Sequence, residues 1–239
     1  MGDPTAQKAS DVPGQQAAAT TTESHWPDEG WRRPLNVFVA VVAIAGSLPL
    51  WIVIAALIRL TSRGPILYTQ IRIGLDKRGR TPTSGGPHRV RDYGGRPFKI
   101  YKFRTMKADA ELHTGAVWAT QDDGRVTPVG RFLRRYRLDE LPQLINVVQG
   151  DMNVVGPRPE RPTIFADLRS KIPNYRTRQR VRPGITGHAQ INLEYDSTLE
   201  DVRRKVAFDL EYLERQGLLE DLRIMLKTIP VMLFRRGSR

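Results

Sequence analysis

The chain has 239 residues, which suffices for one well-cored domain with an appendage, and its net charge of +13 indicates an anionic partner. Nucleic acid, an anionic membrane and a phosphorylated small molecule all fit that charge. The absence of cysteine excludes disulfides, thiolate chemistry and a cysteine-type zinc site. The histidines are scattered without metal-ligand spacing and do not predict a metal cluster: His25, His88, His113 and His188.

Residues 1–30 are low in sequence complexity. Alanine, threonine, glutamine, glycine and proline dominate this segment, and no apolar periodicity is visible. Such a composition cannot bury enough apolar surface to offset the entropy cost of ordering, so we predict a disordered tail. No basic head leads directly into an apolar run at the terminus, so we do not expect a secretory signal peptide.

Residues 37–58 form a long apolar run. The sequence VFVAVVAIAGSLPLWIVIAALI has no charged residue and is about long enough to cross a bilayer as a helix. A buried core helix is the alternative, but a soluble core helix rarely lacks polar residues on every side. The run therefore predicts membrane association.

The middle of this run predicts a bend. Pro49 removes a backbone donor and clashes with the preceding turn, while the hydroxyl of Ser47 can bond a carbonyl left free nearby. The pattern favours a re-entrant membrane helix hairpin over residues 31–63, kinked at Pro49, over a straight span. The reason is that positive residues favour the cytoplasmic side and flank both ends of the run: Arg32, Arg33, Arg59 and Arg63.

The remainder, residues 64–235, predicts a mixed α/β domain that is mostly helical with a small β-hairpin. Residues 64–74 and 96–106 alternate as strands do, and a loop rich in glycine, proline and arginine separates them. Apolar residues recur at helical spacing after Ser197, and a second helix is predicted over residues 218–234. Both helices are amphipathic, so they could lie at a membrane interface or support a homodimer.

Two adjacent carboxylates, Asp139 and Glu140, lie in a stretch dense in arginine. Residues 141–148 place apolar side chains on one helical face, and Asp139 as the N-cap would leave Pro142 in the first turn, where its missing donor costs nothing. Both carboxylates would then lie at a helix N-terminus, whose dipole favours negative charge. A simple N-cap with salt bridges at its rim is the alternative interpretation.

The surrounding arginines indicate a phosphate ligand. The guanidinium fork suits two-point contact with phosphate oxygens, and a diphosphate with a bound divalent cation fits the excess of positive charge. An ionised carboxylate in such a site can attack phosphorus, while its neighbour holds Mg²⁺ that bridges phosphate oxygens. Seven arginines and no lysine lie in this stretch: Arg125, Arg131, Arg134, Arg135, Arg137, Arg158 and Arg161.

Four segments resemble the bacterial sugar transferase family, the monotopic phosphoglycosyl transferases. They are KIYKFRTM, RFLRRYRLDELPQLINVVQGDMNVVGPRPERP, RVRPGITGHAQIN and the tail DLEYL…DLRIMLKTI, and they stand in the family's order between residues 34 and 235. The resemblance implies a re-entrant membrane hairpin broken at a proline, in agreement with the interpretation of Pro49. It also implies a catalytic domain on the cytoplasmic face of the bacterial inner membrane.

The resemblance further implies a reaction. A sugar 1-phosphate moves from a UDP-sugar to polyprenyl phosphate such as undecaprenyl phosphate, which releases UMP and begins the assembly of a polysaccharide or glycoconjugate. By the family's pattern, Asp139 is the nucleophile that carries the phosphosugar, and Glu140 is the metal-binding or activating residue for Mg²⁺. The basic positions that we expect to hold phosphates are Lys102, Arg104, Arg134 and Arg158.

Two departures leave the sugar open. The loop at residues 76–95 is longer than the family's usual turn, and His188 replaces a common tryptophan. One alternative function is a basic nucleic-acid-binding protein with a membrane anchor, but aromatic residues make up only 8% and do not interleave with the basic ones, so we expect no nucleic-acid partner. Another is a catalytically inactive membrane scaffold, yet the two carboxylates and the GPRPE segment are present.

Overall fold

The computed structural model of the chain describes residues 30–77, 94–107, 110, 123–193 and 198–233. The predicted disordered tail, except for its last residue, lies outside these ranges. Most of the predicted loop at residues 76–95 lies outside them as well. The other predicted elements fall largely within the described ranges.

The apolar run forms one helix, α1, over Arg32–Thr61, with Pro49 inside it. Among the described residues it is the one helix long and apolar enough to cross a membrane. Ser47 Oγ donates to the Ala43 carbonyl oxygen at 2.6 Å, one turn back along the helix. Helical geometry thus continues through Pro49, and the sharpness of the bend there stays a prediction.

One side of α1 packs against the domain along both halves of the helix. Ala40 in the first half contacts the core that includes Leu144, and Ile54 and Ile58 in the second half pack against Phe103. The opposite side of α1 is exposed, as an apolar helix facing lipid would be. Its most exposed large side chains are Phe38, Val41, Val42, Ile52, Val53 and Leu60.

The predicted β-hairpin is confirmed. Strand β1, Leu67–Ile73, pairs antiparallel with β2, Pro97–Phe103, and Leu67 lies opposite Phe103. Phe98 and Ile100 lie on one side of β2, since alternate residues of a strand share a face, and both belong to the apolar cluster that contains Ala40 of α1. The hairpin therefore packs against α1.

A second sheet was not predicted. It consists of β3, Asn153–Val155, and β4, Gly184–Thr186, which pair in parallel. Three residues are too few to show a period of two, and the first and last residue of each strand are buried, so neither strand stands out as amphipathic.

The other elements are helices, and the chain is mixed α/β as predicted. Both predicted C-terminal helices are confirmed, and α7 exposes an apolar face that includes Leu219, Leu226 and Ile229. The α-helices after β2 are α2 Pro128–Arg135, α3 Gln143–Gln149, α4 Pro162–Lys171, α5 His188–Asn192, α6 Leu199–Arg215 and α7 Leu218–Leu233. Two short 3₁₀-helices span Leu138–Glu140 and Tyr175–Arg180.

A buried polar cluster fixes the start of α1 to the C-terminal helices. Arg32 and Asp221 are 1% and 0% exposed and form an ion pair at 3.0 Å. Tyr212 donates its hydroxyl to Asp221 Oδ1 at 2.7 Å, and Arg32 also donates to Gln216 and to Tyr212. Such a pair is tolerated inside a protein only when both charges are satisfied, so α1 cannot leave α7 without exposing or stranding a charge.

Replacing Asp221 with alanine should lower the free energy of unfolding by about 3–5 kcal/mol, because it leaves the Arg32 guanidinium buried without its counter-ion. Urea unfolding of the detergent-solubilised protein measures the change. The matched control, Glu200→Ala, removes an exposed ion pair with Arg203 and should cost less than about 1 kcal/mol. A loss in Asp221→Ala as small as that of the control would contradict the prediction.

Candidate active site

The two carboxylates lie on the 3₁₀-helix Leu138–Glu140, which leads into α3. Arg137 precedes it in the left-handed region, with φ 53°, and its carbonyl accepts the first hydrogen bond of the turn from the Glu140 N–H at 3.1 Å. Asp139 is therefore inside the first turn and is not the N-cap, which corrects the prediction. The helical turn begins earlier than expected because Arg137 reverses the chain.

Glu140 is held as an anion by two cations. Its Oε1 accepts from Lys102 Nζ at 2.8 Å and from Arg158 Nη2 at 2.6 Å, and its Oε2 accepts from Arg158 Nη1 at 3.3 Å. Burial alone would raise the pKa of Glu140, but Arg158, Lys102 and Arg137 outweigh it and hold that pKa well below its ordinary value. A carboxylate in this state is a stable negative charge and a poor proton donor.

Asp139 has a different environment. Its nearest described cation is Lys102, whose Nζ lies 3.8 Å from Oδ2, which is beyond hydrogen-bond distance. Burial raises the pKa of Asp139 above its ordinary value, and Glu140 raises it further, against the pull of the basic side chains around it. The sequence predicted a fully stabilised anion here. The structure instead gives the less stabilised carboxylate of the pair.

Hydrogen bonds to its backbone and to that of its neighbour hold Arg158 in place. It belongs to the segment Gly156–Glu160, and two arginines bind carbonyls of this segment: buried Arg178 donates from Nη2 to Arg158 O at 3.1 Å, and partly buried Arg72 donates from Nη1 to Pro159 O at 3.0 Å. The flanking prolines limit the backbone further. The guanidinium of Arg158 is thus presented to Glu140 from a rigid segment.

Two further ion pairs balance charges of the residues around the Arg158 segment. Glu160 Oε1 lies 3.2 Å from Lys205 Nζ, and Arg178 Nε lies 2.7 Å from Asp209 Oδ2. Burial alone would raise the pKa of Glu160, but the three cations around it hold the pKa at about 2. Lys205 and Asp209 lie on the predicted amphipathic helix α6, and nothing in its spacing indicated that they would meet the Arg158 segment.

Arg134 approaches the site from α2. Its Nε donates to Thr105 Oγ1 at 2.9 Å, and its charge lowers the pKa of Asp139. Helix α2 can come so close because Gly130 has no side chain: a Cβ there would lie 2.0 Å from the Thr105 carbonyl oxygen. The structure therefore brings Lys102 and Arg158 into contact with Glu140 and places the charge of Arg134 near Asp139, and their binding of phosphate stays a prediction.

Arg104 does not join them. Its Nη1 donates to Arg63 O at 2.8 Å, and its Nη2 donates to Ser62 O and Ser62 Oγ at 2.7 Å each. The expectation that Arg104 holds a phosphate is therefore revised, since its guanidinium is occupied by the end of α1. Strand β2 ends at Phe103, so the alternation that would place Arg104 on the side of Lys102 stops one residue before it.

Two neighbours of the carboxylates were not singled out in the sequence. Arg137 contributes a positive charge, and its left-handed backbone sets the start of the turn. Gln143 lies one turn after Glu140, is 1% exposed, and its Nε2 has no hydrogen-bond partner. The spacing of three from Glu140 was the available signal for Gln143, because residues three apart share a helical face.

The residues present fit Mg²⁺ only in part. Among the described residues no group of three or more acidic or histidine side chains is placed to hold a metal ion. Mg²⁺ commonly needs only one or two carboxylates, with phosphate oxygens and water completing its shell. Glu140 Oε1 accepts from both cations and Oε2 accepts one bond from Arg158 at 3.3 Å, so Oε2 is the oxygen with room for Mg²⁺, beside two positive side chains that oppose its binding.

Comparison with known proteins agrees with this arrangement. The model of the bacterial sugar transferase family matches residues 28–235. The chain is 39% identical over 208 residues to a UDP-N-acetylgalactosamine-undecaprenyl-phosphate N-acetylgalactosaminephosphotransferase of Aeromonas hydrophila, which covers 87% of this chain and 45% of the relative. It is 38% identical over 200 residues to a UDP-glucose:undecaprenyl-phosphate glucose-1-phosphate transferase of Escherichia coli, which covers 83% of this chain and 39% of the relative.

A relative of similar length also matches. An exopolysaccharide production protein of Sinorhizobium fredii is 35% identical over 221 residues, which is 87% of either chain. The chain spans less than half the length of the Aeromonas and Escherichia relatives. The matched residues include the two carboxylates and the Arg158 segment.

If Asp139 must be ionised to react, the acid limb of kcat/KM should lie at higher pH than an ordinary aspartate titrates, because the pKa of Asp139 is raised. Lys102→Met should move that limb to still higher pH, since Lys102 is the cation that most lowers this pKa. The pH profile of turnover measures both. Lys99→Met, on the exposed side of β2, is the matched control and should leave the limb in place. A limb that moves to lower pH in Lys102→Met would contradict the prediction.

Proposed function

Because the chain belongs to the bacterial sugar transferase family, we propose that it transfers a sugar 1-phosphate from a UDP-sugar to polyprenyl phosphate and releases UMP. The observation that carries the proposal is the buried pair Asp139 and Glu140, with Lys102 and Arg158 bound to one of them and a membrane-type helix beside it. The relatives' names supply the donor and acceptor classes, UDP-sugar and undecaprenyl phosphate.

In the first step, a carboxylate oxygen of Asp139 attacks the phosphorus that bears the sugar. The bond from that phosphorus to the bridging oxygen of the diphosphate breaks, and its electron pair leaves with UMP. An aspartyl phosphosugar remains on the enzyme. Asp139 suits this role because its oxygens are not bound by the cations that hold Glu140, so a lone pair is available for attack.

In the second step, a phosphate oxygen of polyprenyl phosphate attacks the same phosphorus. The bond to Asp139 breaks, the carboxylate is restored, and polyprenyl-diphosphate sugar is released. A covalent intermediate lets the water-soluble donor and the lipid acceptor use the site in turn. The site therefore needs to bind only one phosphorylated partner at a time, at the surface of the membrane.

Lys102 and Arg158 act as the phosphate-binding cations in this scheme. Both bind Glu140 in the structure, and the diphosphate of the donor offers them oxygens of the same charge. Arg134, which also approaches Asp139, adds positive charge where the attack builds up negative charge. Bound Mg²⁺, held by Glu140 once these cations turn to the donor, would neutralise phosphate charge.

We also propose that α1 enters the membrane and returns to the same face. Residues 32–40 and residues 54–58 both pack on the same folded domain, and Leu141 borders both clusters. A straight helix of about 20 residues would carry its two ends some 30 Å apart across the bilayer, so a spanning helix could not keep both ends on one domain outside the lipid. Basic residues at both ends favour the cytoplasmic side, which places the catalytic domain at the inner membrane facing the cytoplasm.

This placement suits an early step in polysaccharide assembly, as the name of the Sinorhizobium relative suggests. The alternative of an inactive membrane scaffold would require that the carboxylate pair serve packing alone. A single counter-ion would suffice for packing, whereas Glu140 has two and Asp139 is left without a hydrogen-bonded cation. The arrangement favours the transferase.

With a panel of UDP-sugars, undecaprenyl phosphate and Mg²⁺, the native protein should release UMP from one donor. Asp139→Asn should lose at least roughly 10³-fold of that rate, because an amide cannot form the acyl phosphate. Without acceptor, the intact mass of the native protein should rise by one phosphosugar, and that of Asp139→Asn should not. Asp167→Asn, on the exposed part of α4, is the control and should behave as the native protein does.

Either of two results would overturn the assignment. Full activity of Asp139→Asn would exclude Asp139 as the nucleophile, and the absence of UMP release from every donor would exclude the proposed reaction. Replacing Mg²⁺ with EDTA should abolish release if a divalent cation is needed. Unchanged release in EDTA would remove Mg²⁺ from the proposal and leave the cationic side chains to neutralise the diphosphate.

The membrane path of α1 can be tested by labelling, since the chain has no cysteine of its own. Gly30→Cys and Arg63→Cys place one thiol at each end of α1. A membrane-impermeant maleimide should label both thiols in inverted inner-membrane vesicles and neither in intact spheroplasts. Labelling of the two ends from opposite sides would show a spanning helix.

A further inference from the structure

The guanidinium of Arg104 binds the residues that follow the C-terminal end of α1. Arg104 is 6% exposed, and its two terminal nitrogens donate to the carbonyl oxygens of Ser62 and Arg63, the first two residues after the helix. Ser62 Oγ accepts a third hydrogen bond at 2.7 Å. A positive group is well placed at the C-terminal end of a helix, where the carbonyls lack partners.

The main chain joins the same two segments. The N–H of Arg104 donates to Ile66 O at 2.9 Å, immediately before β1 begins. Arg104 therefore binds the linker between α1 and β1 through its side chain and its backbone at once. The linker cannot shift along β2 without breaking both kinds of bond.

Phe103, the residue before Arg104, packs with Ile54 and Ile58 of α1, and its ring meets Trp51 edge-on at 5.6 Å between centroids. Lys102, the residue before Phe103, donates to Glu140 at 2.8 Å. Three consecutive residues thus connect the membrane helix to the carboxylate pair.

We propose that Arg104 is a positioning residue, which holds the end of α1 against β2 and thereby sets the place of Lys102 beside Asp139 and Glu140. The inference rests on the proposed transfer reaction, in which Lys102 binds the diphosphate. It separates two basic residues of one short motif by function: Lys102 contacts the substrate, and Arg104 fixes the strand that carries Lys102. It also implies that the site is active only when the end of the membrane helix is packed against β2.

The two roles predict different kinetics. A residue that holds phosphate in the ground state raises KM for the donor when it is removed, whereas a residue that positions the reacting groups lowers kcat. A displacement of about 1 Å at a catalytic group can cost roughly 10²-fold in rate. We therefore expect Arg104→Gln to lower kcat by roughly 10- to 100-fold and to leave the donor KM within about twofold.

The experiment compares variants of the full chain in lipid nanodiscs. Turnover of the UDP-sugar gives kcat and KM, and hydrogen–deuterium exchange of residues 59–66 and 138–141 reports on the linker and on the carboxylate turn. Arg104→Gln should speed exchange in both segments. Arg104→Lys, which keeps the charge but cannot bridge two carbonyls, should fall between Arg104→Gln and the native protein in kcat. Ser62→Ala, which removes one of the acceptors, is the mildest test and guards against a variant that does not fold.

The controls separate this inference from the proposed function. Arg158→Gln should raise the donor KM without changing exchange in residues 59–66, because Arg158 has no contact with that linker. Arg203→Gln, an exposed arginine of α6, should match the native protein in every measurement. If the native protein releases no UMP, the proposed function fails, and exchange alone then decides whether Arg104 holds the carboxylate turn. Unchanged exchange at residues 138–141 in Arg104→Gln, or a donor KM that rises more than kcat falls, overturns the inference.

Discussion

The burial of two adjacent carboxylates is the constraint on which the structure of the site depends. Asp139 and Glu140 are 7% and 6% exposed, and two neighbouring negative charges taken out of water repel each other and lose hydration. Lys102 and Arg158 offset that cost only if each stays within reach of Glu140. Each cation consequently has a scaffold of its own. Strand β2, which packs against α1 through Phe103, carries Lys102, and Arg72 and Arg178 hold the backbone around Arg158.

Part of the positive charge of the chain is likewise used within the protein and not for a ligand. From the sequence, the net positive charge indicates an anionic partner. In the structure several arginines bind the protein itself: Arg32 pairs with Asp221, Arg33 donates to carbonyls near the end of α3, and Arg104 binds the residues that follow α1. Arginine suits these places because its fork can satisfy two acceptors while it stays charged. A net charge of +13 therefore overstates the charge available to a ligand.

The sequence predicted features that repeat or adjoin along the chain. Apolar residues recur at helical spacing over the length of α6 and α7, and side chains alternate between faces over the seven residues of each hairpin strand. The two carboxylates are adjacent in the sequence. It did not predict β3 and β4, which are too short to show a period. The resemblance to the family placed Arg104 with Lys102 as a phosphate-binding residue, whereas β2 ends at Phe103 and the Arg104 guanidinium binds Ser62 and Arg63. The sequence also missed the support of Arg158 by Arg178 and Lys205, since contacts between residues 20 and more apart leave no local pattern.

The unequal surroundings of the two carboxylates follow from their place in one short turn. Residues on successive positions of a 3₁₀-helix point about 120° apart, so Glu140 can bind both Lys102 and Arg158 while Asp139 Oδ2 lies 3.8 Å from Lys102 Nζ. The next residue, Leu141, packs against both apolar clusters of α1. One turn therefore joins an anion held by cations, a less stabilised carboxylate and a residue that packs against α1. In the two-step transfer that we propose, the donor and the lipid-borne phosphate would both react at Asp139, next to the helix proposed to enter the membrane.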